Sequence, residues 1–196
     1  MEPFSHHKGF LSVEQATDFF WKFSEIIWLP FAPAPNSRPV HSWKPDTDNP
    51  ITNSIIEFVI DKLRREHNVL TCDSVFMNLY RDGEDYCPYH SDAYGLDTYT
   101  LSLGATRDFL LKPKASGTHS ETFRLRNGDL YYMAKGLHET HKHSVPKRTA
   151  LKEARISILF MVTHKPPPAP QPAPLPALAI TRVKAKARIK PQAEAE

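Results

Sequence analysis

Val75-Phe76-Met77-Asn78-Leu79-Tyr80, followed by Arg81-Asp82-Gly83-Glu84-Asp85, is the stretch at which the chain changes its period. The first six residues read as a strand and the next five as its turn. Further strand-like runs follow at Thr98–Leu103, Asp108–Lys112, Glu121–Arg126, Leu130–Ala134 and Arg155–Val162. Asn127-Gly128, between two of them, carries the signal of a tight hairpin. Upstream the period is helical. Ser12 and Gln15 form a capping box, and Ala16, Phe19, Phe20, Phe23, Ile26 and Ile27 recur on one face, which predicts a helix over Val13–Ile27. Asn49-Pro50 starts a second helix, with Ile55, Ile56, Val59, Ile60 and Leu63 on its buried face and an end near Asn68. The proline-rich stretch between the helices, Pro30 to Pro50, reads as a loop holding Trp43. Two N-terminal helices ahead of a run of short strands predict an α+β domain whose β part is a double-sheet jelly roll.

Within that strand region stand His90-Ser91-Asp92 and, further on, His143-Ser144-Val145-Pro146. His90 and Asp92 are two residues apart, so on extended chain both point to the same side. Two histidines and one carboxylate can occupy one face of an octahedral Fe(II) and leave three positions for oxygen and a chelating co-substrate. His141, two residues before His143, competes for the distal place. Arg155 opens the apolar run Arg155-Ile156-Ser157-Ile158-Leu159-Phe160. Buried there, it offers a planar, permanently charged fork for a carboxylate of that co-substrate.

Composition excludes several other classes. No apolar stretch approaches the roughly 18 residues of a membrane span, and Met1-Glu2-Pro3-Phe4 lacks a secretory pattern. The cysteines are Cys72 and Cys87, too few for a disulfide framework, which predicts an intracellular protein of nucleus or cytoplasm. Six of the 25 basic and two of the 22 acidic residues lie from Lys165 onward, leaving 19 and 20, a net charge of −1, in residues 1–164. The basic character therefore belongs to the tail, and a charge argument for nucleic-acid binding by the body fails. The tail begins with Pro166-Pro167-Pro168-Ala169-Pro170-Gln171-Pro172-Ala173-Pro174, composition suited to an extended spacer. Arg182–Lys190 then supplies the cations for phosphate contacts. The division expected is a folded domain over 1–164 and a Pro-rich, basic appendage over 165–196.

From Gly9-Phe10-Leu11-Ser12 to Val162 the sequence resembles the AlkB family of Fe(II)/2-oxoglutarate dioxygenases. The stretches that carry the resemblance are Asn78-Leu79-Tyr80-Arg81-Asp82-Gly83, His90-Ser91-Asp92, Ser102-Leu103-Gly104-Ala105-Thr106-Arg107-Asp108-Phe109, Gly128-Asp129-Leu130 and Lys142-His143-Ser144-Val145-Pro146-Lys147. The resemblance implies a double-stranded β-helix with Fe(II) in its mouth, held by His90, Asp92 and His143, since the family's distal ligand directly precedes Ser-Val-Pro. It also implies that Asn78 and Tyr80 hydrogen-bond 2-oxoglutarate, with Ser157 beside them, and that Arg155 pairs with its distal carboxylate. The expected reaction uses O₂ and 2-oxoglutarate to oxidise an N-methyl carbon of a base in alkylated DNA or RNA, releasing formaldehyde, succinate and CO₂. A base must be flipped or single-stranded to reach the iron, and Trp43, Tyr89 and Tyr94 are candidates to stack on it. Trp43 also reads as half-buried packing. The same chemistry on a modified RNA base or a protein side chain, and a non-catalytic binding descendant, are the alternatives. The chain is expected to act as a monomer.

Two departures from the family pattern stand out. The closing strand usually carries a second arginine six residues after the first, near the carboxylate that chelates iron; here that residue is Met161. Members that repair cationic bases place an acidic residue shortly after the metal aspartate; here the chain runs Ala93-Tyr94-Gly95.

Overall fold

In the computed structural model, residues 2–30, 38–45, 48–93, 95–115 and 121–166 are described. Ser12 caps the first helix: its hydroxyl accepts from Gln15 N at 3.2 Å, and Gln15 Oε1 accepts from Ser12 N at 3.2 Å. Helix α1 spans Val13–Ser24 and buries Ala16 and Phe23. It stops three residues short of the expected Ile27, for a specific reason. The Phe23 carbonyl, which a continuing helix would give to Ile27, is taken by Ile26 N at 3.5 Å and Trp28 Nε1 at 3.2 Å. Ile27 is left 78% exposed. Helix α2, Pro50–His67, follows its sequence signals closely. Asn49 caps it through Ile51 N, Ile55, Ile56, Val59, Ile60 and Leu63 are buried, and Asn68 closes it in the left-handed region at φ 55°.

The strands are β1 (Phe4–His7), β2 (Leu29–Pro30), β3 (Pro39–Ser42), β4 (Val69–Tyr80), β5 (Cys87–His90), β6 (Asp97–Gly104), β7 (Arg107–Pro113), β8 (Glu121–Leu125), β9 (Leu130–Met133), β10 (His141–Val145) and β11 (Arg155–His164), with a short helix α3 (Leu137–Thr140) before β10. They form a seven-stranded sheet, β1-β9-β6-β11-β4-β3-β2, and a four-stranded sheet, β5-β10-β7-β8. All pairings among the described residues are antiparallel. This is the jelly roll that the strand run predicts.

The period of two divides the large sheet into two working faces. Val75 and Met77 of β4, Tyr99, Leu101 and Leu103 of β6, and Ile156, Ile158, Phe160 and Val162 of β11 pack with the two helices in one core. The alternate residues Phe76, Asn78, Tyr80, Ser157, Leu159 and Met161 face a cavity instead. A second cluster, including Phe109, Leu111, Leu125 and Tyr131, closes the space between the sheets.

Two expectations are corrected. The Pro30–Pro50 stretch is not wholly loop: β3 pairs with β4, Val40 opposite Asn78 and Ser42 opposite Phe76. Prolines are tolerated there because Pro30 and Pro39 lie on the short pair β2–β3 at the sheet's edge, where few ladder donors are needed. Nor is Asn127-Gly128 a hairpin. It carries the chain from β8 in the small sheet to β9 in the large one. Its polar groups go to other partners: Asn127 Oδ1 accepts from Gly104 N at 2.9 Å, and Gly128 N donates to Ser102 O at 2.8 Å. Gly128 has φ 86°, and a Cβ there would stand 2.7 Å from the Leu11 carbonyl oxygen.

Asp129 anchors this crossover. It is 3% exposed and accepts from Gly9 N and Arg126 N at 2.9 Å, with His6 Nε2 at 2.9 Å from the same carboxylate. Burial alone would raise its pKa, but the two backbone donors and His6 together hold it below the usual carboxylate range. A carboxyl depressed in the folded state stabilises fully above its unfolded value of about 3.9, and that contribution is lost as pH falls through the folded pKa. Asp129→Asn should therefore cost about 1–3 kcal/mol at pH 7, and the difference from wild type should shrink below about pH 4. Urea unfolding at pH 7 and in acid checks this; a difference independent of pH would refute it.

Candidate metal centre and co-substrate pocket

The antiparallel pairing of β5 with β10 sets His90 directly opposite His143. Asp92 follows two residues after His90, and its loop is tied to β10 by Ser91 Oγ, which donates to His141 O at 2.7 Å. The result is a compact set: His90 Nε2 lies 3.3 Å from Asp92 Oδ1, His143 Nε2 lies 3.4 Å from Asp92 Oδ2, and the two imidazole centres are 4.2 Å apart. One ligand atom from each of the three residues lies within 4.8 Å of the others, so the group could hold a metal ion. His141, the competing residue, is not in this group; its Nδ1 is 2.8 Å from Thr140 Oγ1.

Burial pushes the His143 pKa down to about 3, Asp92 opposing and the charges of His90, His138 and Arg38 adding to burial. Its imidazole is thus neutral, the form that ligates a metal. Burial also disfavours the cationic form of His90, but Asp92, the Cys87 thiol and the Pro88 carbonyl outweigh it and lift His90 to about 10. Asp92 is lowered: burial raises it, and His90 and His143 more than compensate. A dication would take the place of that shared proton.

The triad opens on a cavity of about 560 Å³ that Asn78, Tyr80 and Ser157 also line. Asn78 and Ser157 are register partners on β4 and β11. Arg155 lies immediately behind Tyr80, its guanidinium carbon 5.4 Å from the ring centre. It is 1% exposed, and its Nε donates to Ser102 Oγ at 2.9 Å. Nη1 and Nη2 have no hydrogen-bond partner among the described residues. Two unpaired donors on a buried cation are expensive unless an anion meets them. The donor set therefore fits a carboxylate of 2-oxoglutarate beside Tyr80 and a metal at the triad.

Other candidates fall elsewhere. Trp43 packs on the helix side of the sheet, and its Nε1 donates to Asn53 Oδ1 at 2.6 Å. Tyr89 is not among the residues lining the cavity and lies under Lys112 Nζ at 4.2 Å. Tyr94 lies outside the described residues. Met161 lines the cavity, its sulfur accepting from Ser74 Oγ at 3.0 Å.

The sequence reading missed three polar residues. Arg38 sat in the stretch read as loop; it lines the cavity, and its Nε donates to Asn78 Oδ1 at 2.7 Å. His138 is buried beside Asp92. Arg107, within the Ser102–Phe109 stretch, is 1% exposed and donates to the carbonyls of Asp82, Asp85 and Pro146 at 3.0, 2.8 and 2.8 Å. It thereby joins the turn leading into β5 to the exit from β10. Only Arg107 had a sequence signal, its place within the motif.

Two antiparallel sheets with a His-x-Asp and a distal His between them, and a buried arginine behind the cavity, define a jelly-roll oxygenase built for a metal and a chelating acid. The chain belongs to the 2OG-Fe(II) oxygenase superfamily, whose family model matches residues 7–160. Its likeness to AlkB proteins is borne out by curated relatives. It is 30% identical over 117 residues to DNA oxidative demethylase ALKBH2 of Bos taurus, covering 52% of this chain and 42% of that protein. It is 27% identical over 132 residues to alpha-ketoglutarate-dependent dioxygenase alkB homolog 3 of Homo sapiens, covering 61% and 46%. The matched part thus spans less than half the length of either relative. Among solved structures, OsALKBH1 superposes with a TM-score of 0.57 at 17% identity, covering 82% of this chain and 98% of that one. A prolyl-4-hydroxylase of Pseudomonas putida gives 0.55 at 13%, covering 84% and 94%. At these identities the structural likenesses speak for the fold. No helix among the described residues is long and apolar enough to cross a membrane.

Proposed function

We propose that this protein is an Fe(II)/2-oxoglutarate-dependent dioxygenase that removes N-methyl groups from bases of DNA or RNA. The observation that carries the reading is the cavity lined by His90, Asp92 and His143 together with Asn78, Tyr80 and Ser157, with the buried guanidinium of Arg155 beside Tyr80. His90, Asp92 and His143 hold the metal; Asn78, Tyr80, Ser157 and Arg155 hold 2-oxoglutarate. When bound, metal and co-substrate supply the oxidising chemistry: O₂ and 2-oxoglutarate become succinate, CO₂ and one oxygen on the methyl carbon, and the hemiaminal then loses formaldehyde.

The chain's own residues position and shield. Asp92 brings one negative charge to the dication. Arg38 occupies the Asn78 carbonyl oxygen, which leaves the Asn78 amide nitrogen to donate to the co-substrate. Burial raises the Tyr80 pKa, so its hydroxyl stays a donor. Phe76, Leu159 and Met161 line the cavity with apolar surface that excludes water. Residues 165–196, which fall almost wholly outside the described residues, are assigned the role of a backbone-binding arm through Arg182–Lys190.

Among the described lining residues Asp92 is the sole carboxylate, while Arg38 brings a guanidinium to the same cavity. A positively charged methylated base gains no ion pair there once Asp92 is committed to metal. The expected substrate is a neutral N-methyl base. Formaldehyde and succinate should appear one to one with single-stranded oligonucleotides carrying neutral methylated bases, and more slowly with cationic ones. Succinate without formaldehyde across a full DNA and RNA panel would overturn the demethylase reading, and faster cationic turnover the charge preference.

A further inference from the structure

His138 stands next to the metal residues with nothing to do. It lies on α3, the short turn that feeds β10, and is 6% exposed. Neither ring nitrogen has a hydrogen-bond partner among the described residues. Its ring centre is 5.9 Å from that of His143, edge-on, and its Nδ1 is 3.9 Å from Asp92 Oδ2. Its backbone is held: Lys114 Nζ donates to His138 O and Lys114 N to Thr140 O, both at 2.8 Å. The fixed turn aims a polar ring at one carboxylate oxygen. Packing alone would be better served by leucine, because a buried donor left unpaired is destabilising.

We propose that His138 is a positioning residue for the metal centre, donating Nδ1–H to Asp92 Oδ2 and so orienting the carboxylate. The contact needs to close from 3.9 Å to the roughly 2.9 Å of an N–H···O bond, a shift within reach of small side-chain rotations. Oδ1 faces His90 and Oδ2 faces His143 and His138, so the carboxylate already presents its two oxygens to different neighbours. Fixing one oxygen fixes the plane of the other. The inference rests on the assignment of His90, Asp92 and His143 as ligands.

The test uses the full chain and Co(II) alone, read by equilibrium affinity and by the visible absorption of the bound ion, with turnover left out. His138→Leu should weaken Co(II) binding by about 10–100-fold, the usual effect of losing a partner of a ligand, and alter the absorption. It should leave the circular dichroism spectrum unchanged. His138→Asn, whose amide nitrogen reaches near the place of Nδ1, should restore most of the affinity and the wild-type absorption. Wild-type binding by the Leu variant overturns the inference. Equal weakening of the Leu and Asn variants also overturns it, because it marks a packing role. If the Leu variant does not fold, His138→Ala takes its place beside the Asn variant, and wild-type binding by Ala, or equal weakening of Ala and Asn, overturns the inference. A His143→Ala control that binds Co(II) as well as wild type would instead sink the ligand assignment, and this inference with it.

Discussion

Arg155→Ala should raise the half-saturating concentration of 2-oxoglutarate by about 30- to 4,000-fold. Removing one partner of a buried, hydrogen-bonded charge pair costs about 2–5 kcal/mol, and each 1.4 kcal/mol is about a factor of ten. The size of the effect follows from the site's dryness: Arg155 is 1% exposed, and the neighbouring Tyr80 hydroxyl is a neutral group that cannot replace an anion at its Nη groups. Water cannot readily replace it at the carboxylate. Met161→Arg should move the same constant less, and downward, because the end of the acid that chelates metal already has a strong partner. Initial rates of succinate release across a 2-oxoglutarate titration supply the measurement. An unchanged half-saturation in the Ala variant would remove Arg155 from the co-substrate site.

His143→Ala should abolish 2-oxoglutarate turnover, whereas His141→Ala should leave most of it. The two residues share a strand and differ by two positions, so composition and gross charge are matched. They differ in place. His143 Nε2 lies 3.4 Å from Asp92 Oδ2, while His141 Nδ1 is engaged with Thr140 Oγ1 at 2.8 Å. The opposite ranking in anaerobic metal binding and in turnover would transfer the ligand role to His141.

The jelly roll and the residues of the triad were legible because their signals are local or periodic. Strand alternation in Val75–Tyr80 and Arg155–Val162 shows directly which residues can face a cavity, and two residues' spacing is enough to place His90 and Asp92 on one side. What escaped depended on pairing between distant segments. The polar residues Thr71, Asp73 and Ser74 hid the first half of β4, which is exposed over much of that length. Asn127-Gly128 has the composition of a hairpin turn, and only the allocation of β8 and β9 to different sheets shows that it is a crossover. Arg38 enters the cavity because β3 pairs with β4, a partnership that prolines disguised. His138 looks like a surface histidine in a polar segment, and its burial depends on the turn α3, which Lys114 holds at the His138 and Thr140 carbonyls. Trp43 takes the half-buried packing place that its second reading assigns, whereas the stacking chemistry of Tyr89, without strand pairing, does not say which wall it belongs to.

The position of β11 has a consequence for how the molecule opens. This strand is laddered on both sides, to β4 and to β6, along nearly its whole length. Pulling it away breaks two ladders at once, so the wall that carries Arg155 and Ser157 belongs among the last parts to exchange with solvent. β3 and β5, by contrast, lie toward the edges of their sheets, β3 backed only by two-residue β2 and β5 paired on one side. Local excursions are cheapest there. The molecule can thus breathe along the outer strands β3 and β5, while the wall that carries Arg155 and Ser157 stays shut.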